Sequence, residues 1–96
     1  MAALTEDEIR KTLMSMPGWS YAGSAIHKKF ALQSFMPAIA FVNKIAEAAE
    51  LANHHPDITI NYSQVSISLS THSAGGITQK DFQLAAAIDK IYAAGN

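Results

Sequence analysis

From Val65 to His72 the chain alternates without a break: Val65, Ile67, Leu69 and Thr71 against Ser66, Ser68, Ser70 and His72. Successive side chains of a strand point to opposite faces, so this segment is a strand with one apolar face and one small polar face. That is the pattern of an antiparallel sheet covered on one side.

The rest of the fold is read outward from this strand. Ile58, Ile60 and Tyr62 alternate with Thr59 and Asn61 and predict a preceding strand, with a turn at Ser63-Gln64. Residues 19–30 predict two short strands around Ala22-Gly23-Ser24, and the adjacent Lys28 and Lys29 predict that the second is exposed on one side. Three helices complete the chain. The first opens on a capping box, Thr5 with Glu8, flanked by the apolar pair Leu4 and Ile9; it runs through Leu13 and Met16 to Pro17-Gly18. The second is capped by Ser34, tolerates Pro37 in its first turn and ends before Pro56. Its predicted apolar face is Phe35, Ile39, Val42, Ala46 and Ala49, widened by Phe41 and Ile45. The third follows the loop Ala74-Gly75-Gly76 and opens with Thr78 as cap, Asp81 at the capping-box position, and Ile77 with Phe82 as staple. The order is α-β-β-α-β-β-α. The fold class is α+β: a four-stranded antiparallel sheet with helices packed on one face, in a single domain over residues 1–96.

Composition narrows the chemistry. Of the 96 residues, 49% are hydrophobic and 17 are Ala, which predicts closely approaching helices or a surface buried against another subunit. A net charge of −1 argues against nucleic acid as a direct partner, since that requires a basic patch. No apolar run is long enough to span a membrane, and the acidic start MAALTEDE predicts no signal peptide. With no Cys, disulfides, thiolate catalysis and Cys-type zinc sites drop out, and a cytoplasmic address is expected. His and carboxylates must carry any chemistry.

Three of the four His fall within 19 residues: His54, His55 and His72. His54-His55-Pro56 lies where the long helix gives way to a strand, and His72 ends the following strand on its polar face. A hairpin can bring these two ends together at one sheet edge, with Asp81 nearby. Each residue alone also has a structural explanation. His near a helix C-terminus suits the helix dipole, and Pro commonly follows such an end. Asp81 is accounted for by its capping position, Glu50 by a polar helix face, and the serine row by a solvent-facing or subunit-facing side of the strand. His27 reads as surface, and Trp19 as core or interface.

The combination is more specific than its members. Glu50-Leu-Ala-Asn-His54-His55-Pro56, followed by Tyr62 and Val65, resembles the signature of the pterin-4a-carbinolamine dehydratases. Leu69-Ser70-Thr71-His72 through Gly76-Ile77-Thr78 to Asp81 resembles that family's second block, and Pro17-Gly18-Trp19 extends the likeness towards the start.

This resemblance implies dehydration of a 4a-hydroxytetrahydropterin, released by aromatic amino-acid hydroxylases, to the quinonoid dihydropterin, in support of tetrahydrobiopterin recycling. It implies no metal and no organic cofactor. Loss of water needs a proton for the C4a hydroxyl and removal of one from N5, and imidazole exchanges protons at neutral pH. By resemblance, His54 and His72 are the acid/base pair, and His55 contacts the pterin and affects turnover. Asn53, Ser70, Thr71 and Ser73 line the pterin site, Asp81 orients a catalytic His, and Glu50 holds the family's acidic position. Two positions depart from the pattern: Asn53 stands where an acid is frequent, and Ile58 where an aromatic residue, usually Trp, is frequent. The family forms homodimers or homotetramers. Its animal members also serve as dimerisation cofactors for a transcription factor, so the alternative reading is a non-catalytic interaction module. A metal site from His54, His72 and Asp81 ranks last, because adjacent His side chains rarely converge on one ion.

Overall fold

The computed structural model describes residues 2–95; Met1 and Asn96, the two ends of the expected 1–96 domain, lie outside the described residues. Helix α1, Glu6–Leu13, is set by local chemistry. The Glu8 amide donates to Thr5 Oγ1 at 3.2 Å and the Thr5 amide to Glu8 Oε1 at 2.8 Å, so two orphan donors of the first turn are satisfied. The helix stops at Leu13, short of Met16, and a turn carries the chain into Pro17-Gly18. Gly18 sits at φ +89, and a Cβ there would stand 2.8 Å from Lys28 Cε, so this corner requires Gly.

Strands β1, Ser20–Ala22, and β2, Ala25–Ala31, form a hairpin round Gly23-Ser24. Helix α2, Phe35–Ala52, crosses to the far edge of the sheet, where β3, Asp57–Asn61, turns back into β4, Gln64–Leu69. A 3-10 turn, His72–Ala74, leads to α3, Gln79–Gly95. All three pairings are antiparallel and the strand order is β1-β2-β4-β3. The α+β class and the α-β-β-α-β-β-α order are those read from the sequence.

The alternation that began the reading divides the sheet as expected. Ile26 opposite Leu69, Phe30 opposite Val65, and Ile67 on β4 face the helices and are buried. His27 opposite Ser68, and Lys29 and Thr59 on either side of Ser66, face away from them. The core joins these strand residues to Ala38, Phe41, Ile45 and Ala49 of α2 and Phe82, Leu84, Ala85 and Ile88 of α3. Phe30 is its centre: the rings of Trp19, Phe41 and Tyr92 lie 6.1, 5.1 and 5.0 Å from it, in edge-on or tilted contact.

Besides the earlier end of α1, five local readings differ. The buried face of α2 is Ala38, Phe41, Ile45 and Ala49, whereas Phe35 is 46% exposed and Ala46 is also exposed. The helix is rotated so that its two bulky central side chains point straight into the core, with Ala at the flanking positions permitting close approach. Ser34 precedes α2 in extended backbone but makes no side-chain cap bond. The β3–β4 turn is Tyr62-Ser63, with Asn61 paired to Gln64, and Tyr62 is left-handed at φ +56. A two-residue link between antiparallel strands favours a positive φ, and that takes Tyr62 out of the strand. His72 opens the 3-10 turn and does not end β4. Finally, Lys28 lies in the same row as Ile26 and Phe30, on the covered face. Its ammonium bonds Asp89 Oδ1 at 2.8 Å and the Pro17 carbonyl at 3.1 Å, 4.9 Å from the Phe30 ring centre. Asp89 also accepts from Trp19 Nε1 at 2.9 Å, so this clamp ties α3 to the first hairpin.

Candidate functional site

The end of α2 aims the His pair. Asn53 is left-handed at φ +52, ψ +43; its amide bonds the Glu50 carbonyl at 3.2 Å, and the His54 amide bonds the Ala49 carbonyl at 3.0 Å. These two bonds form a Schellman ending, which turns the chain off the helix axis within one residue. Asn tolerates this conformation better than any other side-chain-bearing residue, which gives the departure at Asn53 a backbone reason. Pro56 then restricts His55 towards extended backbone. Opposite, Thr71 and Gly76 close a tight loop through paired backbone bonds of 2.8 and 3.3 Å, with Gly75 left-handed inside it. That loop presents His72 and Ser73.

Behind this junction stands Asp81, fully buried in the first turn of α3. Its Oδ1 lies 2.5 Å from His54 Nε2, and its Oδ2 accepts from Thr71 Oγ1 at 2.8 Å and from the Thr78 amide at 2.9 Å. The threonines are ordered by the same arithmetic. Thr71 has one hydroxyl proton and gives it to Asp81, so in the 2.9 Å contact between the two hydroxyls Thr78 is the donor. Thr78 Oγ1 accepts from the Lys80 amide at 3.3 Å. Among the described residues no buried side-chain polar atom is left without a partner.

This network fixes a tautomer. A carboxylate can only accept, so His54 carries a proton on Nε2, and the neutral ring keeps its lone pair on Nδ1. A second, exposed pair lies beside it: His55 Nε2 is 2.6 Å from Glu50 Oε2, and Glu50 is one turn back on α2. The two neighbouring imidazoles are thus each held by a different carboxylate, one buried and one at the surface.

An open cleft of 370 Å³ is lined by Asn53, His54, His55, Ser70, Thr71, His72, Ser73 and Lys80. All the residues expected at the site are therefore at or directly behind one cleft, though not in one layer. Asp81 and Glu50 are not in the lining; each lies behind a His. Thr71 lines the cleft, but its hydroxyl is committed to Asp81. His72 is exposed, and its ring makes no hydrogen bond among the described residues. Ile58 lies elsewhere, on the helix side of β3 opposite Ile67 and partly buried against the core. Lys80 was not singled out in the sequence; the signal that could have found it is its place beside Asp81 in the first turn of α3. His27 is remote, on the open sheet face. A roomier hollow of 530 Å³ occupies that face between Ser20, His27, Asp57, Thr59 and Ser66. His27 and Asp57 both line it, but the His27 ring bonds the Ala22 carbonyl, and no ion pair joins it to Asp57 among the described residues. No three His, Asp or Glu side chains among the described residues could share a metal ion, so the set proposed from His54, His72 and Asp81 does not form.

Known proteins resemble this chain in sequence and fold. Residues 2–91 match the family described as pterin 4 alpha carbinolamine dehydratase. A relative from Roseiflexus castenholzii is 55% identical over 92 residues, covering 95% of this chain and 99% of its own. One from Picosynechococcus is 49% identical over 88 residues, covering 92% and 96%. Both carry the name pterin-4-alpha-carbinolamine dehydratase as a provisional one. A crystal structure from Brucella melitensis, titled a transcriptional coactivator/pterin dehydratase, superposes with a TM-score of 0.90 at 33% identity, over 94% of this chain and 98% of that one. A pterin dehydratase-like protein identified as a RuBisCO assembly factor in the alpha-carboxysome shares the fold, with a TM-score of 0.69 at 24% identity over 80% and 92%. Sequence and fold agree: the chain belongs to the pterin 4 alpha carbinolamine dehydratase family.

Proposed function

We propose that the cleft eliminates water from a 4a-hydroxytetrahydropterin, giving the quinonoid dihydropterin and so recycling a tetrahydropterin cofactor. The observation that carries this reading is the buried Asp81–His54 pair opening onto a cleft shared with His55 and His72. Elimination needs one proton delivered and one removed. His54, with Nε2–H held by Asp81, offers Nδ1 as the base that takes the N5 proton, and the imidazolium that forms is stabilised by the carboxylate behind it. His72, unbonded at the mouth, delivers a proton to the departing C4a hydroxyl. The C4a–O bond breaks as the N5 electron pair moves in, and water leaves. His55, held by Glu50, contacts the ring, while Asn53, Ser70 and Ser73 meet its polar edge. Proton transfer by positioned side chains is sufficient chemistry for this step.

The test is direct. The carbinolamine is generated with an aromatic amino-acid hydroxylase, and its dehydration is followed spectroscopically with and without the protein. Acceleration over buffer supports the reading, and its absence overturns it. One observation favours a second role: the coactivator half of the Brucella neighbour's title. An interaction module has no need of a titratable pair built on a buried carboxylate, so we place it second. It predicts that a variant lacking all three cleft His keeps its biological role. Assembly into homodimers or homotetramers belongs to the same reading, supported by Met36 and Leu51 on α2, which are 70% and 90% exposed.

A further inference from the structure

Lys80 is the one cleft residue to which nothing above gives a task. It lines the His cleft, and with His54 it also lines a second hollow of 230 Å³ that runs on between α2 and α3. Beyond His54 and Lys80 the walls of that groove are mostly apolar, Ala48, Ala52, Leu84 and Ala87, with Gln83 the one other polar side chain. Lys80 and His54 therefore stand where cleft and groove meet.

The charges around this junction are unbalanced. Asp81 is buried and saturated by three donors, and Glu50 holds His55. Among the described residues, no carboxylate pairs with Lys80 and its side chain makes no hydrogen bond. A ligand in the cleft thus meets an uncompensated cation where the cleft opens onto the groove.

We propose that Lys80 is a specificity-determining residue that pairs with an anionic group on the pterin's C6 substituent. The inference rests on the pterin reading of the cleft. A long, flexible stem suits Lys80 to a point charge at a variable distance. The groove beyond it accepts the apolar part of a longer substituent, and no competing carboxylate faces the position.

The experiment compares two stable fluorescent ligands of similar size, pterin-6-carboxylate and 6-hydroxymethylpterin, by equilibrium quenching titration of the full chain. Wild type is expected to bind the carboxylate about fivefold more tightly, the upper range for an exposed ion pair. The preference should shrink at about 0.5 M salt, where the screening length falls to about 4 Å. In Lys80→Gln the ratio of the two affinities should fall to about one, in Lys80→Glu it should invert, and in Lys80→Arg it should persist. Loss of structure alone would weaken both ligands and leave their ratio unchanged. Equal wild-type affinities, or a preference that survives in Lys80→Gln, overturns the assignment of Lys80 while leaving the pterin reading intact. If neither ligand binds wild type, the pterin reading fails and the inference falls with it.

Discussion

Asp81 performs two tasks with one carboxylate. It caps α3 through the Thr78 amide and orients His54 through the other oxygen. The two tasks separate by substitution. Asp81→Asn keeps an acceptor for the amide but cannot hold an imidazolium, so dehydration should slow by about 10²–10⁴-fold with a smaller change in KM. Asp81→Ala also strands the Thr71 hydroxyl and the Thr78 amide in the interior. It should cost about 3 kcal/mol in urea unfolding. His54→Ala and His72→Ala should each lower the rate by about 10²–10⁴-fold while far-ultraviolet circular dichroism is unchanged. If either variant keeps wild-type turnover, that His is not part of the acid/base pair. Thr71 shows what residue type alone leaves open. Its position at the cleft follows from the resemblance, but the direction of its hydroxyl was decided by a buried carboxylate ten residues away.

At the scale of elements, the end of α2 matters more than its length. The left-handed Asn53 ends the helix and swings His54 towards Asp81. Asn53→Gly should therefore change stability by less than about 0.5 kcal/mol. Asn53→Val should cost about 1–2 kcal/mol and lower turnover as well, because a β-branched residue resists this conformation. Urea midpoints and dehydration rates measured on both variants check this. The rotation of α2 yields a second contrast. Phe41→Ala, in the aromatic cluster, should cost about 3–5 kcal/mol, and Phe35→Ala less than about 1 kcal/mol in the isolated subunit, by thermal unfolding. Apolar periodicity revealed a buried α2 face; which of two adjacent stripes faces inward depended on how Phe41 fits between Phe30 and Tyr92.

The whole molecule is as compact as one domain of this length should be. Its radius of gyration is 13.0 Å, against about 12.5 Å from the scaling of globular chains. No helix among the described residues is long and apolar enough to cross a membrane. One face of the sheet carries the helices, and the other carries Ser66, Ser68, Thr59 and His27 without a second layer. The exposed Met36 and Leu51 on α2 belong to this scale, because a single subunit does not bury them. If α2 is the contact between copies, Met36→Lys with Leu51→Lys should lower the mass found by sedimentation equilibrium to that of one chain, 10.3 kDa. An unchanged larger mass would place the contact elsewhere.

Sequence by itself determined what is local or periodic. The period-two strand, the Thr5–Glu8 capping box and the two family blocks are short-range patterns, and a side chain's choice of face or cap depends on neighbours a few residues away. Tertiary structure alone decided what depends on packing across the chain. It set the rotation of α2 and turned Lys28 to the covered face, where Asp89 waits 61 residues further on. It placed His54 against Asp81 across 27 residues, with Thr71 directed inward and Lys80 left free at the cleft. Spacing can put these residues at one end of the sheet. Only the packed core fixes distances and directions closely enough to say which carboxylate holds which histidine.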